Sequence, residues 1–263
     1  MHVKPTATEF LTSPYDPQLE KDFFSRVMLP NGTIKTTSEH RLDDLNELAL
    51  PHIKALPFSP LRICDVAASS GVSSAEWYDQ LLSSGLDFQM YATDLTTTAI
   101  HLKNGWAEGL FDEHMRPLHL SAFGRGMPPK ADFPRGLVTA AISAYLKLTV
   151  RQRSTVSLMS KRLSPSVQVE CDDITQPSIL YGFHVLRAAN ILHYEYFSKE
   201  QLASIIANLK CRLVEGGLFI ACRTMKDGSN HGAIFRHEAM RLSLIAMIGS
   251  GLEIENLCCP GGA

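Results

Sequence analysis

LRICDVAASSGVSSAEWYDQLLSSGLDFQMYATDLT, residues 61 to 96, decides how the chain folds. Leu61–Val66 is an apolar run broken by an acid, which reads as a short buried strand. Residues 67–73 are small and form a turn. Ser74–Ser83 has helical spacing, with Trp77 and Leu81 four apart. Phe88–Ala92 reads as a second strand, and it too runs into an acid, Asp94. Strand, small-residue turn, helix, strand and acid outline a βαβ unit of the kind that binds nucleotides. The turn brings backbone N–H groups and a helix N-terminus to a ligand, and small side chains allow close approach. The acid at the next strand end can accept hydrogen bonds from two ribose hydroxyls.

The turn also selects among ligands. A dinucleotide fold wants G-x-G-x-x-G, whereas D-V-A-A-S-S-G has one glycine, Gly71. This argues against a pyrophosphate and a nicotinamide-dependent oxidoreductase. Asp65, small residues at alternate positions (Ala67, Ser69, Gly71) and Asp94, 23 residues after Gly71, fall in the range of the ribose-binding spacing. The segment resembles motifs I and II of the class I S-adenosylmethionine-dependent methyltransferases, usually D/E-x-G-x-G-x-G. Ala67 and Ser69 stand where two of the usual glycines would be.

Composition sets the frame. A chain of 263 residues, 45% hydrophobic and 20% charged, suits one large globular domain or a domain with an insertion. A net charge of −2 gives no whole-protein attraction to nucleic acid or to an anionic membrane. Six cysteines (64, 171, 211, 222, 258, 259) are scattered without a C-x-x-C pair, which reads as reduced thiols with no metal site. The first residues, MHVKPTATEFLTS, lack a signal peptide's apolar core, and no segment reaches the ~20 apolar residues of a membrane span. The expected location is cytoplasmic.

Along the chain, residues 1–60 read as an N-terminal helical preface: an irregular arm, a helix over Leu19–Met28, a turn at Asn31-Gly32 and a helix from Ser38 toward Leu56. Leu42, Leu45, Leu48 and Ala49 share a face of the second helix. Pro51 lies within it, and Pro57 and Pro60 end it. The methyltransferase domain then spans 61–263, with a helical insertion at 100–165 after the second strand. In the insertion, Gly124–Arg135 is loop-like, and Gly136–Thr149 is helix-compatible with Leu137, Ala141, Ala144, Tyr145 and Leu148 at spacings of three and four. Lys147, Arg151, Arg153, Lys161 and Arg162 accompany it. The segment 136–162 reads either as a core helix with a solvated basic end or as a contact to a lipid or acidic surface. VQVECDD gives a third strand ending at Asp172-Asp173. Phe183–Ala188, a helix from Ser198 and Leu218–Arg223 complete the parallel strands, with Gly216-Gly217 turning into the last. After Asp227–His231 as a polar loop and a helical turn or two, a closing hairpin is expected over Arg241–Ile248 and Leu252–Cys258, with a helix through Leu244–Ile248 as the alternative.

N-I-L-H-Y before a helix and L-V-E-G-G-L-F-I after it are similar to the motif IV-to-VI region of the same methyltransferases, with Glu215 where proline is usual. The ordered set spans roughly residues 60–225. R-x-x-N-I-L-H-Y-E-Y-F-S-K-E-Q also resembles the chemotaxis-receptor glutamate methyltransferases, as a shared architecture. The resemblance implies a Rossmann-like α/β fold with a mostly parallel seven-stranded sheet and helices on both faces. It implies S-adenosyl-L-methionine as cofactor, held by Asp65, Ala67, Ser69, Gly71, Asp94, Leu95, Asp172 or Asp173, Ala188 and Asn190, with His40 and Arg41 as candidates for the ligand carboxylate. Asp94 would take the ribose and Asp172 the adenine; Asp173 could equally be a turn residue. Methyl transfer is an in-line displacement, so the protein chiefly positions the acceptor. His193, Tyr194 and His231 are the acceptor-side candidates, with His193 suited by its ordinary pKa to act as a general base. The expected acceptor is a small molecule methylated on oxygen or nitrogen. The alternative is a non-catalytic cofactor-binding domain that acts through a partner protein.

Overall fold

The structure, a computed structural model, describes residues 4–30, 32–35, 38–130, 132 and 134–258. Three helices come first: α1 (Ala7–Thr12), α2 (Pro17–Phe24) and α3 (Asp43–Lys54). Thr6 and Glu9 form a capping box on α1, and Asp16 followed by Pro17 starts α2, as helix N-termini require. Next come β1 (Leu61–Val66), α4 (Val72–Ser83) and β2 (Phe88–Asp94), as the opening stretch predicts. The chain continues with β3 (Thr98–Asn104), β4 (Ala107–Phe111), β5 (Pro117–Ala122), β6 (Arg125–Met127), α5 (Arg135–Thr149) and β7 (Gln152–Ser157). It ends with β8 (Gln168–Cys171), β9 (Phe183–Ala189), α6 (Lys199–Lys210), β10 (Leu213–Thr224), β11 (Asn230–Glu238), β12 (Arg241–Ile248) and α7 (Glu255–Cys258).

These elements form two compact units. The larger comprises Glu39–Ala68, Val72–Leu95 and Leu163–Ala263. Its seven-stranded sheet runs β12-β11-β10-β9-β1-β2-β8. The pairs from β10 to β8 are parallel, and β11 and β12 are antiparallel additions. The order therefore reverses between β1 and β9: α4 leads outward from β1 to β2, and α6 leads the other way from β9 to β10. This is a doubly wound, Rossmann-like α/β fold with its topological switch point at β1/β9. Alternation along β1 divides two cores. Leu61 and Ile63 meet Leu42, Leu45 and Ile53 of α3 and its N-cap and Trp77 and Leu81 of α4. Cys64 and Val66 meet Leu202, Ile205, Ile206 and Leu209 of α6, each such buried aliphatic contributing about 1.5–3 kcal/mol. Ser198 caps α6 and forms a capping box with Gln201. Gly216, at φ 77°, lies in the irregularity between Leu213 and Leu218 of β10.

The smaller unit comprises Met1–Ser38, Ser69–Gly71 and Thr96–Arg162. Here the expectation of a helical insertion is corrected. Five antiparallel strands, ordered β6-β5-β4-β3-β7, make a second sheet. Phe10, Phe23 and Phe24 of α1 and α2 pack against Ala99, Leu110 and Leu118. Ile142 and Leu146 of α5 cover Leu102, Phe111 and Leu120. The stretch is strand-forming because apolar residues alternate along it, and Gly105 (φ 56°), Phe123 (φ 51°) and Gly124 (φ 72°) turn the hairpins. The preface is also not one body. Its residues to Ser38 group with the insertion, and those from Glu39 group with the larger sheet. An antiparallel bridge joins Met28 to Ile34; Asn31, the first residue of the expected turn, lies outside the described residues.

The closing hairpin differs from expectation too. It is β11–β12, and Leu252–Cys258 ends in α7 instead of a strand. Ala239 and Met240, both left-handed at φ 49° and 63°, make a turn usually marked by glycine or asparagine, so the first strand went unseen. Cys171 is exposed at a strand end, whereas Cys64 and Cys222 are buried core residues.

Candidate functional site at the carboxyl edge of the parallel strands

Register brings the carboxyl ends of the parallel strands together. Val66 pairs with Thr93 and with Ala188, Ala189 pairs with Cys222, and Asp94 pairs with Cys171. In open α/β sheets ligands bind outside such strand ends, at the switch point. The turn that leaves β1 there has an unusual backbone. Ala67, Ser69 and Gly71 have φ of 55°, 57° and 81°. All three alternate positions are left-handed, though two are not glycine. The strain is roughly 1–2 kcal/mol at each of the two. The Ala68 N–H donates to the Thr93 carbonyl at 2.9 Å, pinning the turn to the end of β2.

Beneath the turn lies a buried ion pair. Asp65 and Arg187 are register partners on β1 and β9. Arg187 donates from Nε and Nη2 to the two Asp65 oxygens at 2.9 and 2.6 Å. It also donates to Asn46 Oδ1 of α3 at 2.7 Å and to the Ser73 carbonyl at 3.1 Å. The Ser74 hydroxyl donates to Asp65 at 2.6 Å, and the guanidinium lies 4.1 Å from the Trp77 ring centroid. Asp65 therefore joins both switch-point strands to α3 and to the start of α4. Arg187 was missed as a partner in the sequence, although an arginine inside the apolar run F-H-V-L-R-A-A requires one.

A second network fixes the far side of the edge. Asn190, left-handed at φ 60°, accepts from the Thr224 N–H at 2.6 Å and donates to its hydroxyl at 3.1 Å. The Thr224 hydroxyl donates to Asn230 Oδ1 at 2.8 Å. Asn230 Nδ2 in turn donates to the Arg41 carbonyl at 2.7 Å and to Asp44 at 2.6 Å. Asn190, expected near the methionine part of the ligand, thus directs its amide to Thr224 at the end of β10, and Asn230 continues the network to the approach to α3. Arg41 is half-buried, and its buried Nε has no partner among the described residues. Burial holds its pKa below the ordinary arginine value. His40 instead turns outward to Asp43, at 2.9 Å.

The remaining candidates separate. Asp94 is buried at the end of β2, and its carbonyl accepts from the Asp172 N–H at 3.0 Å. The Asp172 carboxylate, expected to face the adenine, is engaged by buried Arg212 at 2.5 Å. Asp173 accepts from the Thr175 N–H and hydroxyl at 2.9 and 2.7 Å, the turn role foreseen for it. Leu95 is exposed, and Ala188 is a mid-sheet residue between Val66 and Ala221.

No protein-family model and no curated protein matches the chain. Solved structures to which it is similar include the citrinin polyketide synthase CMeT domain, at 15% identity and a TM-score of 0.40 over 70% of this chain and 35% of that one. Another is the N-methyltransferase NodS from Bradyrhizobium japonicum in complex with S-adenosylhomocysteine, at 11% and 0.35 over 70% and 62%. A third is the Burkholderia thailandensis 1,6-didemethyltoxoflavin-N1-methyltransferase, at 14% and 0.37 over 83% and 64%. The chain spans between about a third and just under two thirds of the length of these structures. At such low identity and overlap, the site's own geometry carries the functional conclusion.

The acceptor-side candidates lie beyond β9 and β10. His193 is 5% exposed, and its Nδ1 has no partner among the described residues. Burial, then the Arg223 charge, hold its pKa below the ordinary value against the pull of Glu195 and Glu253. Arg223 pairs with Glu195 at 2.6 Å and with Glu253 at 3.3 Å. The Tyr194 N–H donates to the same Glu253 at 3.1 Å, and its side chain is 46% exposed. His231 is not in a polar loop. It belongs to β11, in register with Arg223.

Proposed function

We propose that the carboxyl edge of the larger unit binds S-adenosylmethionine and that the chain transfers its methyl group to an oxygen or nitrogen of a small-molecule acceptor. The observation that carries this reading is the left-handed backbone at residues 67, 69 and 71, sited at the switch point. The turn keeps the geometry that glycines would give it, at an energetic cost, and strain held in place beside a strand edge is characteristic of ligand sites.

When bound, the cofactor supplies the electrophilic methyl and its own leaving group. The chain's residues then have separate tasks. Asp94 accepts from the ribose hydroxyls. Arg41, with its buried unpartnered Nε, meets the carboxylate of the methionine part through a charge-assisted hydrogen bond. Asp65 and Arg187 hold the turn without touching the ligand. His193, whose pKa burial holds below the ordinary imidazole value, can accept a proton from an acceptor hydroxyl or ammonium. Tyr194 lies beside it on the same loop.

The test is thermal unfolding with S-adenosylmethionine, S-adenosylhomocysteine and NADH in turn. A ligand at 100 times its Kd adds about 2.7 kcal/mol, which for a chain of this size raises Tm by roughly 5–10 °C. Stabilisation by the two adenosyl ligands alone supports the reading. Stabilisation by NADH, or by none of the three, overturns it.

A further inference from the structure

The apolar stripe of α5 does not face the core. Sequence spacing places Leu137, Ala141, Ala144 and Leu148 on one side of this 15-residue helix, and all four are exposed, Leu137 at 65% and Leu148 at 85%. The residues that pack inward are Ile142, Ser143 and Leu146. A helix that shows water its apolar face has a second surface to bury it against.

The stripe joins an exposed aromatic group. Tyr145 stacks on Trp106 at 4.9 Å, and Trp106 stacks on Phe123 at 4.9 Å. Trp106 is 42% exposed and Phe123 79%. The register places them at one end of the smaller unit's sheet. Asn104 pairs with Ala107, Ala107 with Ala122 and Ala122 with Arg125. Asn104 Nδ2 donates to the Thr149 carbonyl at the end of α5 at 2.6 Å. Val150, 39% exposed, and Arg151 follow there.

The charge around this surface is mainly basic; exposed Asp132, just before α5, pairs with Arg135 at 3.7 Å. From residue 133 to residue 169 the sequence has no acid, but it has Arg135, Lys147, Arg151, Arg153, Lys161 and Arg162. Arg125, Lys147, Arg151 and Arg153 are exposed and take part in no ion pair among the described residues. Glu108, the nearby acid of β4, is turned inward to His101 and Thr8. No helix among the described residues is long and apolar enough to cross a membrane. A helix with an apolar face, flanking bases and adjacent aromatics instead suits lying in the interface of a bilayer.

We infer that α5, with Trp106, Phe123 and the flanking arginines, docks on an anionic lipid surface. This goes beyond the methyl-transfer reading and does not depend on it. Single-stranded nucleic acid fits less well. Exposed Leu137 and Leu148 would gain nothing from phosphates.

The test is co-sedimentation of the full chain with vesicles of phosphatidylcholine alone and of phosphatidylcholine with phosphatidylserine. The expected result is binding to the anionic vesicles, weakened by salt, with a blue shift of Trp106 emission that Trp106→Phe removes. Each surface base contributes about a fivefold change in partitioning, so Arg125→Ala with Arg151→Ala lowers it about 25-fold. Leu148→Glu, at an exposed position that leaves the fold intact by circular dichroism, abolishes the blue shift. No binding to anionic vesicles overturns the proposal. So does binding that neither variant changes, tighter binding to a single-stranded oligonucleotide, or a dimer that Leu148→Glu dissociates.

Discussion

Replacing Arg187 by methionine removes the cation that pairs with Asp65 while keeping most of the apolar volume. Asp65 is 3% exposed and would retain the Ser74 hydroxyl at 2.6 Å as its hydrogen bond from a side chain. Asn46 Oδ1 and the Ser73 carbonyl would each lose a donor, and Trp77 its cation. Breaking one side of a buried pair costs about 3–5 kcal/mol, chiefly because a charge is left uncompensated. Arg187→Met should therefore lower the stability of the larger unit by that amount. Urea unfolding in a Trp106→Phe background, where Trp77 is the remaining indole, measures it. The same argument makes two further demands. Asp65→Asn added to Arg187→Met should recover at least half of the loss, since the uncompensated charge is gone. The single variant's deficit should also shrink from pH 8 to pH 5. An unpaired buried carboxyl binds its proton more tightly folded than unfolded, so its penalty grows as pH rises. A loss below about 1 kcal/mol, or a double variant no better than the single, would refute the reasoning.

The other predictions follow from single residues. Ala67→Gly should stabilise the chain by about 0.5–1 kcal/mol: relief of the left-handed alanine is worth roughly 1–2 kcal/mol, offset by glycine's unfolded-state freedom of about 0.4–1 kcal/mol. A lower urea midpoint would contradict this. Arg41→Ala should weaken S-adenosylhomocysteine binding about tenfold or more, as loss of a hydrogen bond to a charged group does, yet leave adenosine binding unchanged because adenosine has no carboxylate. Equal losses for both ligands would exclude that role. Burial holds fully buried His119 at about 4 against the opposing pull of Glu108, whereas the unfolded residue titrates near 6.5. The unfolded chain thus binds more protons between those values, and stability falls as pH drops from about 6.5 to 4, by roughly 3 kcal/mol. His119→Leu should flatten that part of the pH–stability curve for the smaller unit.

The parallel core was legible because its signals are local. An apolar run ends in an acid at Asp65 and again at Asp94, α4 and α6 have helical periodicity, and Gly216 marks the irregular entry to β10. What escaped depends on tertiary partners or on turns without the usual residues. Ala239-Met240 turns a hairpin with two left-handed non-glycines, so β11 was read as the end of a polar loop and a helical turn instead of a strand. The alternating strands of 98–127 carried their own hairpin signal at Asn104-Gly105, but the apolar periodicity of 136–149 drew the whole insertion toward a helical reading. That periodicity is real in α5, with its stripe on the opposite face. At the site, acids at strand ends were found, but their company was not. Asp172 meets Arg212 and Asn190 meets Thr224, partners distant in sequence that no local signal marks.

The central claim is that the β1/β9 switch point, with Asp94 at the neighbouring strand end, holds an adenosyl ligand. Isothermal titration of S-adenosylhomocysteine into the intact chain and into Asp94→Ala tests it most directly. One site per chain in the first and no measurable binding in a folded Asp94→Ala is the predicted outcome. Binding of equal affinity in both, or in neither, would contradict it.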